Sequence, residues 1–164
     1  MESVIHRIGI GTDLHRLAAG RPLKLAGVTV PHAQGLVGHS DADVVFHAVT
    51  DAVLGAAGLP DIGELFPDTD PQYQNADSAT LLAEAMRQVA AAGFRVAYVD
   101  LVVHAEKPKI APYKAAMRKN IACVLGIDPA RVNVKAKTNE GLDAVGRAEA
   151  IACTAVAGLT VVRR

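Results

Sequence analysis

The chain has 164 residues, of which 51% are hydrophobic and only 4% aromatic, so Ala, Val, Leu and Ile must fill the interior of one predicted domain, residues 1–164. Seventeen basic residues balance seventeen acidic ones, which leaves no basic field to attract nucleic acid. No apolar run reaches the roughly 18 residues of a membrane span, and the segment from Met1 to Arg7 lacks the shape of a signal peptide. We therefore expect a cytoplasmic protein with neither nucleic acid nor a membrane as a partner.

Two strand-like segments open the chain. Residues His6 to Leu17 alternate in polarity, which predicts a strand, and Leu23 to Val30 predicts a short strand or hairpin that Pro31 ends. The segment from Gln34 to His39 is expected to be a loop.

The first predicted helix begins at Ser40, which we expect to be its N-cap with Asp43 as the capping-box partner, and ends near Ala57 before Gly58. Residues 61–75 follow as a long irregular loop, a type of segment that often covers a binding site.

Strands and helices then alternate to the end of the chain, which predicts a layered α/β sandwich with the strand order left open. The two cysteines, Cys123 and Cys153, lack CxxC spacing and are expected to be buried without a disulfide. The predicted elements are a helix from Asp77 to Gly93, a strand from Phe94 to Ala105, a helix from Tyr113 to Leu125, a strand from Val132 to Lys137, a polar loop or short helix from Thr138 to Arg147, and a strand from Ala148 to Val162.

Metal ligands are suggested by two short motifs. Asp13 and His15 are two residues apart in a strand and point to one face, so both side chains can reach a single ion. If that face meets the first helix, His47 completes a set that suits zinc with an open fourth position. Asp51, one turn beyond His47, could orient the His47 ring. The alternative is a helix start rich in capping acids, with histidines that are simply hydrogen-bonded.

The start of the same helix also predicts an anion site. His39 and Ser40 lie where backbone N–H groups and the helix dipole favour a phosphate. Plain capping by Ser40 and a surface position for His39 are the alternatives.

Two further polar segments follow strands. The segment from Glu106 to Lys109 could hold a base or a phosphate, and the segment from Lys137 to Gly141 could bind Mg²⁺ or phosphate oxygens. Charged strand ends would explain either one alone.

The chain has no GxxxxGK[ST], GxGxxG or GxSxG motif, so metal-assisted chemistry on a phosphorylated small molecule is the remaining interpretation.

In this order, these motifs resemble the 2-C-methyl-D-erythritol 2,4-cyclodiphosphate synthase family over nearly the whole chain, from Arg7 to Val162. The motifs that carry the resemblance are Asp13-Leu14-His15, His39-Ser40-Asp41-Ala42-Asp43 with His47, Asp61-Ile62-Gly63, Leu65-Phe66-Pro67-Asp68-Thr69-Asp70, Pro108-Lys109, Lys137-Thr138-Asn139-Glu140 and Gly146-Arg147.

The resemblance implies a two-layer, ferredoxin-like α/β (α+β) sandwich, with a mixed sheet and helices on one face, that assembles as a homotrimer with active sites between subunits. It implies conversion of 4-diphosphocytidyl-2-C-methyl-D-erythritol 2-phosphate into the cyclic 2,4-diphosphate with release of CMP, a phosphorus–oxygen lyase reaction of the non-mevalonate isoprenoid pathway. Zn²⁺ and a second ion, Mg²⁺ or Mn²⁺, are the implied cofactors.

Residue roles come from the same resemblance. Asp13, His15 and His47 would hold zinc, and Glu140 would contact the second ion. His39 and Thr138 would stabilise the transition state. The implied substrate contacts are Asp61, Ile62 and Gly63 for the methylerythritol part, Phe66, Asp68 and Asp70 in the lid, Ala105, Pro108, Lys109, Ile110 and Ala111 in the cytidine pocket, and further contacts at Asp13, His15, His39, Ser40, Lys137, Thr138, Asn139, Glu140 and Arg147.

The chain departs from the family pattern at a few positions. Thr12 replaces a bulky residue, an expected aromatic is missing at Ala144, and Lys137 stands where some relatives have threonine. Members can carry a hydrophobic cavity on the trimer axis that accepts an isoprenoid diphosphate, with Arg147 as a candidate anion contact. Thr12 and Ala144 leave that function open here.

Two other functions remain open at this point. A zinc-dependent phosphohydrolase would use the same ion to activate water. A trimeric binding protein would use the zinc only to hold its fold.

Overall fold

A mixed five-stranded sheet forms the framework of the computed structural model, which describes residues 5–162. Residues 1–4 and 163–164 lie outside the described residues. They include part of the segment from Met1 to Arg7 that lacks the shape of a signal peptide, and the end of the predicted domain. The strands are β1 (Arg7–Ala19), β4 (Gln34–Leu36), β5 (Phe94–His104), β6 (Val132–Lys137) and β7 (Ala150–Val161), with β2 (Leu23–Leu25) and β3 (Val28–Val30) in a separate hairpin. The strand order is β4-β1-β7-β5-β6; β5 and β6 are parallel and the other neighbours antiparallel.

The three long helices contact the sheet or its hairpin and bury one face of the sheet, so the predicted mixed α+β class is confirmed. These are α1 (Val44–Ala57), α3 (Ser78–Ala91) and α4 (Lys114–Leu125); α2 (Ile62–Leu65) and α5 (Asp143–Gly146) are single turns.

Helix α1 lies unusually close to β1, because small residues face each other across the interface. A Cβ atom on Gly9 would lie 2.2 Å from the Ala52 carbonyl oxygen, and one on Gly11 would lie 2.0 Å from that of Ala48. Ala48, Ala52 and Ala56 are four residues apart and form the matching helix stripe, all buried. This close approach sets how near the side chains of α1 and β1 can come.

The N-cap of α1 is Asp43, so the prediction that Ser40 caps the helix with Asp43 as its partner was wrong. The Asp43 carboxylate accepts the N–H groups of Val45 and Phe46, and those of Ala26 and Gly27 in the β2–β3 hairpin. The chain turns at Ala42, whose φ is +58°, before the helix begins. One buried carboxylate thus fixes both the helix start and the hairpin.

The other face of the sheet is apolar yet exposed in the single chain. Ile8 is 72% exposed, Ile10 66% and Leu14 59%, and Tyr98 and Val156 lie on the same face of neighbouring strands. Contiguous exposed apolar surface of this kind marks an interaction surface.

Three smaller expectations need correction. The predicted loop from Gln34 to His39 contains strand β4, which pairs with the end of β1. The 61–75 loop contains α2 and a 3₁₀ turn at Pro71–Tyr73, each begun by an aspartate cap. Cys123 is exposed because it lies on the outer side of α4, whereas Cys153 is buried as expected.

Among residues 5–162, no helix is both long enough and apolar enough to cross a membrane.

Candidate functional site

Asp13, His15 and His47 form a cluster that could hold a metal ion. Asp13 Oδ2 lies 2.8 Å from His15 Nε2 and 3.0 Å from His47 Nδ1, and the two ring nitrogens are 3.2 Å apart. The DxH spacing places Asp13 and His15 on the α1 face of β1, and the close approach of α1 brings His47 to them. Within the described part of the chain, this is the one such group of three or more His, Cys, Asp or Glu residues.

The donor set fits zinc in both geometry and protonation. Tetrahedral zinc with ligands at its usual bond lengths separates its ligand atoms by about 3.3 Å, close to the observed spacing. His15 Nδ1 lies 2.9 Å from the Val37 carbonyl oxygen, so Nδ1 carries the hydrogen and Nε2 keeps a lone pair for an ion. His47 turns Nδ1 to the cluster and Nε2 to the hydroxyls of Ser40 and Ser78, at 3.1 and 2.9 Å.

The electrostatics of the cluster favour an ionised Asp13. Burial acts to raise the pKa of Asp13, but hydrogen bonds and charge interactions with His15 and His47 outweigh it, and its pKa lies well below the usual range. Burial acts to lower the pKa of His15, but the bond and charge of Asp13 raise it overall. An ionised carboxylate beside two ring nitrogens favours a cation at this point.

Asp51 does not orient His47, contrary to the sequence-based expectation. Its carboxylate accepts the N–H of Ile62 at 2.8 Å, which ties α1 to the first residue of α2. Although Asp43, His47 and Asp51 are spaced by four along the helix, Asp43 is used as a cap and Asp51 as an anchor. Only His47 of the three joins the metal-ligand cluster.

A cavity of about 410 Å³ opens beside the two histidines of the cluster. It brings together several residues that the sequence singled out: its lining comprises His15, Gly38, His39, Ser40, His47, Ile62, Gly63, Phe66, Asp68, Tyr73 and Leu81. Gly38, Tyr73 and Leu81 were not predicted as site residues. The rings of Tyr73 and Phe66 pack edge to face, with their centroids 5.4 Å apart. An aromatic residue in the same loop as Phe66 was the sequence signal that could have identified Tyr73. Asp61 and Asp70 accept N–H groups of their own turns, from Glu64 and Gln72.

The predicted anion site at the start of α1 is not formed by the helix itself. The N–H groups of Val45 and Phe46 are taken by Asp43. The Ser40 hydroxyl lies instead at the cavity, where it accepts the Ala42 N–H at 3.2 Å. His39 and Ser40 thus face the cavity as side chains rather than as part of a helix N-terminus.

The two polar segments that follow β5 and β6 lie side by side at one end of the sheet. Ala105 donates its N–H to the Lys137 carbonyl at 2.9 Å, and Asn139 donates its N–H to the Glu106 carboxylate at 3.2 Å. The Ala105–Ala111 and Lys137–Glu140 segments are therefore neighbours, as a shared binding region requires. Arg147 is exposed and paired with Glu149 at 3.1 Å.

A second cavity, of about 550 Å³, lies on the open face of the sheet and reaches Asp13 from the other side. Its polar lining includes Thr12, Asp13, His104, Asn139 and Asp143. His104 Nδ1 lies 3.2 Å from Asn139 Oδ1, and Asn139 Nδ2 donates to Asp143 at 2.9 Å. His104 was missed from the sequence, although a histidine at the end of an apolar strand was a usable signal. Asp13 thus lines this second cavity, whereas His15 and His47 line the first.

Comparisons with known proteins agree with one another. Residues 6–160 match the model of the YgbB family. The chain is 60% identical over 155 residues, 94% of this chain and 96% of its relative, to a 2-C-methyl-D-erythritol 2,4-cyclodiphosphate synthase of Bordetella petrii. It is 57% identical over 150 residues, 92% of this chain and 95% of the relative, to the synthase of Chromobacterium violaceum.

Solved structures share the fold at high similarity. The bifunctional IspDF from Campylobacter jejuni matches with a TM-score of 0.92 at 46% identity; the match covers 98% of this chain and 43% of that longer protein. A 2C-methyl-D-erythritol-2,4-cyclodiphosphate synthase in its CDP-bound form matches with a TM-score of 0.86 at 41% identity, over 93% of this chain and 99% of the other.

Proposed function

Because this chain belongs to the YgbB family, we propose that it converts 4-diphosphocytidyl-2-C-methyl-D-erythritol 2-phosphate into 2-C-methyl-D-erythritol 2,4-cyclodiphosphate and CMP, in the non-mevalonate isoprenoid pathway. The relatives that match at 57–60% identity over more than nine-tenths of the chain are named 2-C-methyl-D-erythritol 2,4-cyclodiphosphate synthase. The observation that carries the proposal is the Asp13–His15–His47 cluster at the wall of the cavity beside His39 and the 61–75 loop.

We assign the metal site to Asp13, His15 and His47. The cluster offers one carboxylate and two imidazoles whose ring nitrogens converge, and the Val37 carbonyl sets the tautomer of His15. When bound there, zinc would supply Lewis-acid stabilisation of phosphate oxygens. Glu140 would contact the second ion, Mg²⁺ or Mn²⁺. The φ of Glu140 is +52°, which turns the chain sharply after β6. This turn lies at the same end of the sheet as the Ala105–Ala111 segment.

The reaction is an in-line attack by the 2-phosphate on the β-phosphorus of the diphosphate, with CMP leaving. The main obstacle is repulsion between two anions, and donors preorganised at the developing charge lower it. His39 and Ser40 line the cavity beside the cluster and would donate to phosphate oxygens. Thr138 would do the same from the β6 end. No general base is needed when the attacking phosphate is already ionised, so positioning is the main task of the protein.

The rest of the substrate would lie along the two loop regions. Asp61, Ile62 and Gly63 would hold the methylerythritol part, with Phe66, Asp68 and Asp70 as a lid. Ile62, Gly63, Phe66 and Asp68 already line the cavity. The cytidine would bind at Ala105, Pro108, Lys109, Ile110 and Ala111, with further contacts at Lys137, Asn139 and Arg147.

The proposal includes a homotrimeric, cytoplasmic enzyme, as the resemblance implies. The exposed apolar face with Ile8, Ile10 and Leu14 supports assembly, since a monomer rarely leaves such a surface in water. An isoprenoid diphosphate on the trimer axis is not part of the proposal, because Thr12 and Ala144 line the open-face cavity where bulky residues were expected.

The decisive experiment is incubation of the purified protein with the diphosphocytidyl substrate, Zn²⁺ and Mg²⁺, followed by ³¹P NMR and detection of CMP. We expect a cyclic diphosphate and an equal amount of CMP, loss of turnover after chelation, and recovery on adding zinc. A linear phosphate product would instead identify a metal-dependent phosphohydrolase. No product, together with a His47→Ala protein that unfolds, would identify a binding protein with a structural zinc.

A further inference from the structure

Ser78, the first residue of α3, lies against the proposed zinc ligand His47 although it is distant from it in sequence. Its side chain is fully buried, and its Oγ is 2.9 Å from His47 Nε2. The same hydroxyl donates its hydrogen to Asp41 Oδ1. The motif that carries the metal site does not include Ser78.

Counting hydrogens fixes the direction of these bonds. A serine hydroxyl has one hydrogen, and an ionised carboxylate can only accept. The hydrogen of Ser78 therefore goes to Asp41, and Ser78 Oγ must accept from His47 Nε2–H. With the ring hydrogen on Nε2, the lone pair of neutral His47 is on Nδ1, the atom that faces Asp13 at 3.0 Å.

Asp41 is itself held in place. Its Oδ1 accepts the N–H of Asp43 at 3.2 Å, and its Oδ2 lies 3.9 Å from the Lys24 ammonium group. Its own N–H donates to the Ala76 carbonyl at 3.0 Å. A carboxylate with these partners cannot rotate away, so it keeps the Ser78 hydroxyl turned from His47.

Ser40 also lies near His47 Nε2, but it is the weaker candidate. Ser40 Oγ lies 3.1 Å from His47 Nε2, and the same oxygen already accepts the Ala42 N–H. With the ring hydrogen of His47 on Nε2, the Ser40 hydroxyl cannot donate to that atom, and the described residues offer its hydrogen no other acceptor. Ser40 also lines the cavity. Ser40 is therefore free to donate to a ligand while Ser78 holds the ring.

We propose that Ser78, oriented by Asp41, is the positioning residue that fixes the tautomer and ring orientation of His47 for metal binding. This inference rests on the proposed metal site. It also links that site to the 61–75 loop, because Asn75 donates its N–H to the His39 carbonyl at 2.9 Å just before α3 begins.

The test is zinc affinity of the full-length protein, measured by competition with a chromophoric chelator. Removing a partner that orients a metal-bound histidine typically weakens metal affinity by about 10–100-fold, and we expect this for Ser78→Ala. Asp77→Ala is the matched control: it removes the cap of the same helix, which accepts the Ala79 N–H, without touching His47. Its zinc affinity should stay within about threefold of wild type.

A second pair of variants keeps the inference testable if Ser78→Ala does not fold. Asp41→Ala frees the Ser78 hydroxyl to donate to Nε2, which would move the ring hydrogen to Nδ1 and weaken zinc binding. Asp41→Asn keeps an acceptor and should restore most of the affinity. In the cobalt-loaded protein, Ser78→Ala and Asp41→Ala should also change the visible absorption bands, which a purely structural role for Ser78 would leave unchanged.

The outcomes separate this inference from the proposed function. If wild type binds no zinc, the proposed metal site is wrong, and the inference falls with it. If wild type binds zinc and Ser78→Ala and Asp41→Ala bind it equally well, only the role of Ser78 is refuted. The same holds if Asp77→Ala weakens binding as much as Ser78→Ala, or if Ser40→Ala weakens it more.

Discussion

Replacing Gly11 by alanine tests whether the contact between α1 and β1 sets the geometry of the metal-ligand cluster. The new Cβ would lie 2.0 Å from the Ala48 carbonyl oxygen and 2.6 Å from the Ala52 nitrogen. Both are backbone atoms of α1, so no side chain can rotate to make room. The helix must retreat by about 1 Å to reach the 3.0 Å below which Cβ contacts are essentially never found.

Two effects follow from that displacement. Overpacking of a tight core costs about 1–3 kcal/mol, and we expect about 3 kcal/mol because both contacts are to backbone atoms. His47 precedes Ala48, so its Nδ1 would leave the position 3.0 Å from Asp13. A misplacement of about 1 Å can lower catalysis about 100-fold, and we expect zinc affinity and turnover to fall together by at least about tenfold.

The assay is urea unfolding of the metal-free protein combined with zinc titration. With a slope of about 2 kcal/mol per molar urea, the midpoint of Gly11→Ala should fall by about 1.5 M. Gly55→Ala is the control on the same helix, because its Cβ would meet nothing closer than the Ile10 carbonyl at 3.8 Å. It should gain up to about 1 kcal/mol from helix propensity. An unchanged midpoint and unchanged zinc affinity in Gly11→Ala would refute the reasoning.

The remaining predictions concern the ligand, the cap and the open face. His47→Ala should fold, bind zinc at least about 100-fold more weakly and lose turnover; unfolding of the metal-free variant would contradict a purely functional zinc. Asp43→Ala should lose about 3–5 kcal/mol of unfolding free energy in chemical denaturation, because a cap is lost and two hairpin N–H groups lose their acceptor; a loss below about 1 kcal/mol would show that water replaces the carboxylate. Ile10→Lys, on the face where Ile10 is 66% exposed, should sediment as a monomer, whereas Ala90→Lys on the exposed side of α3 should leave the assembly intact; a trimeric Ile10→Lys would place the interface elsewhere.

Periodicity predicted the regular elements well because their burial is one-sided. Strand β1 alternates along its length, and α3 places Leu81, Leu82, Ala85 and Val89 inside, at helical spacing. The pairing of β5 with β6 and β7 could not be predicted, since strands with an apolar face can pair in several orders.

The metal-ligand cluster was predictable in part because DxH has a defined geometry in a strand. The position of His47 on the facing side of α1 needed the packing of the glycines and alanines, which spacing alone does not give. The role of Asp43 was misjudged because its hairpin partners are far away in sequence. Ser78 and His104 were missed for the same reason: the hydrogen-bond partner of each is far away in sequence.

The carboxylate of Asp43 also affects how the protein unfolds locally. The amide hydrogens of Ala26, Gly27, Val45 and Phe46 all point at it, although the hairpin and the helix are separate in sequence. An opening that moves this carboxylate away removes the acceptor of all four amides at once. In hydrogen–deuterium exchange, the turn of the hairpin and the first turn of α1 should therefore exchange at a common rate, as one cooperative unit adjoining the metal-ligand cluster.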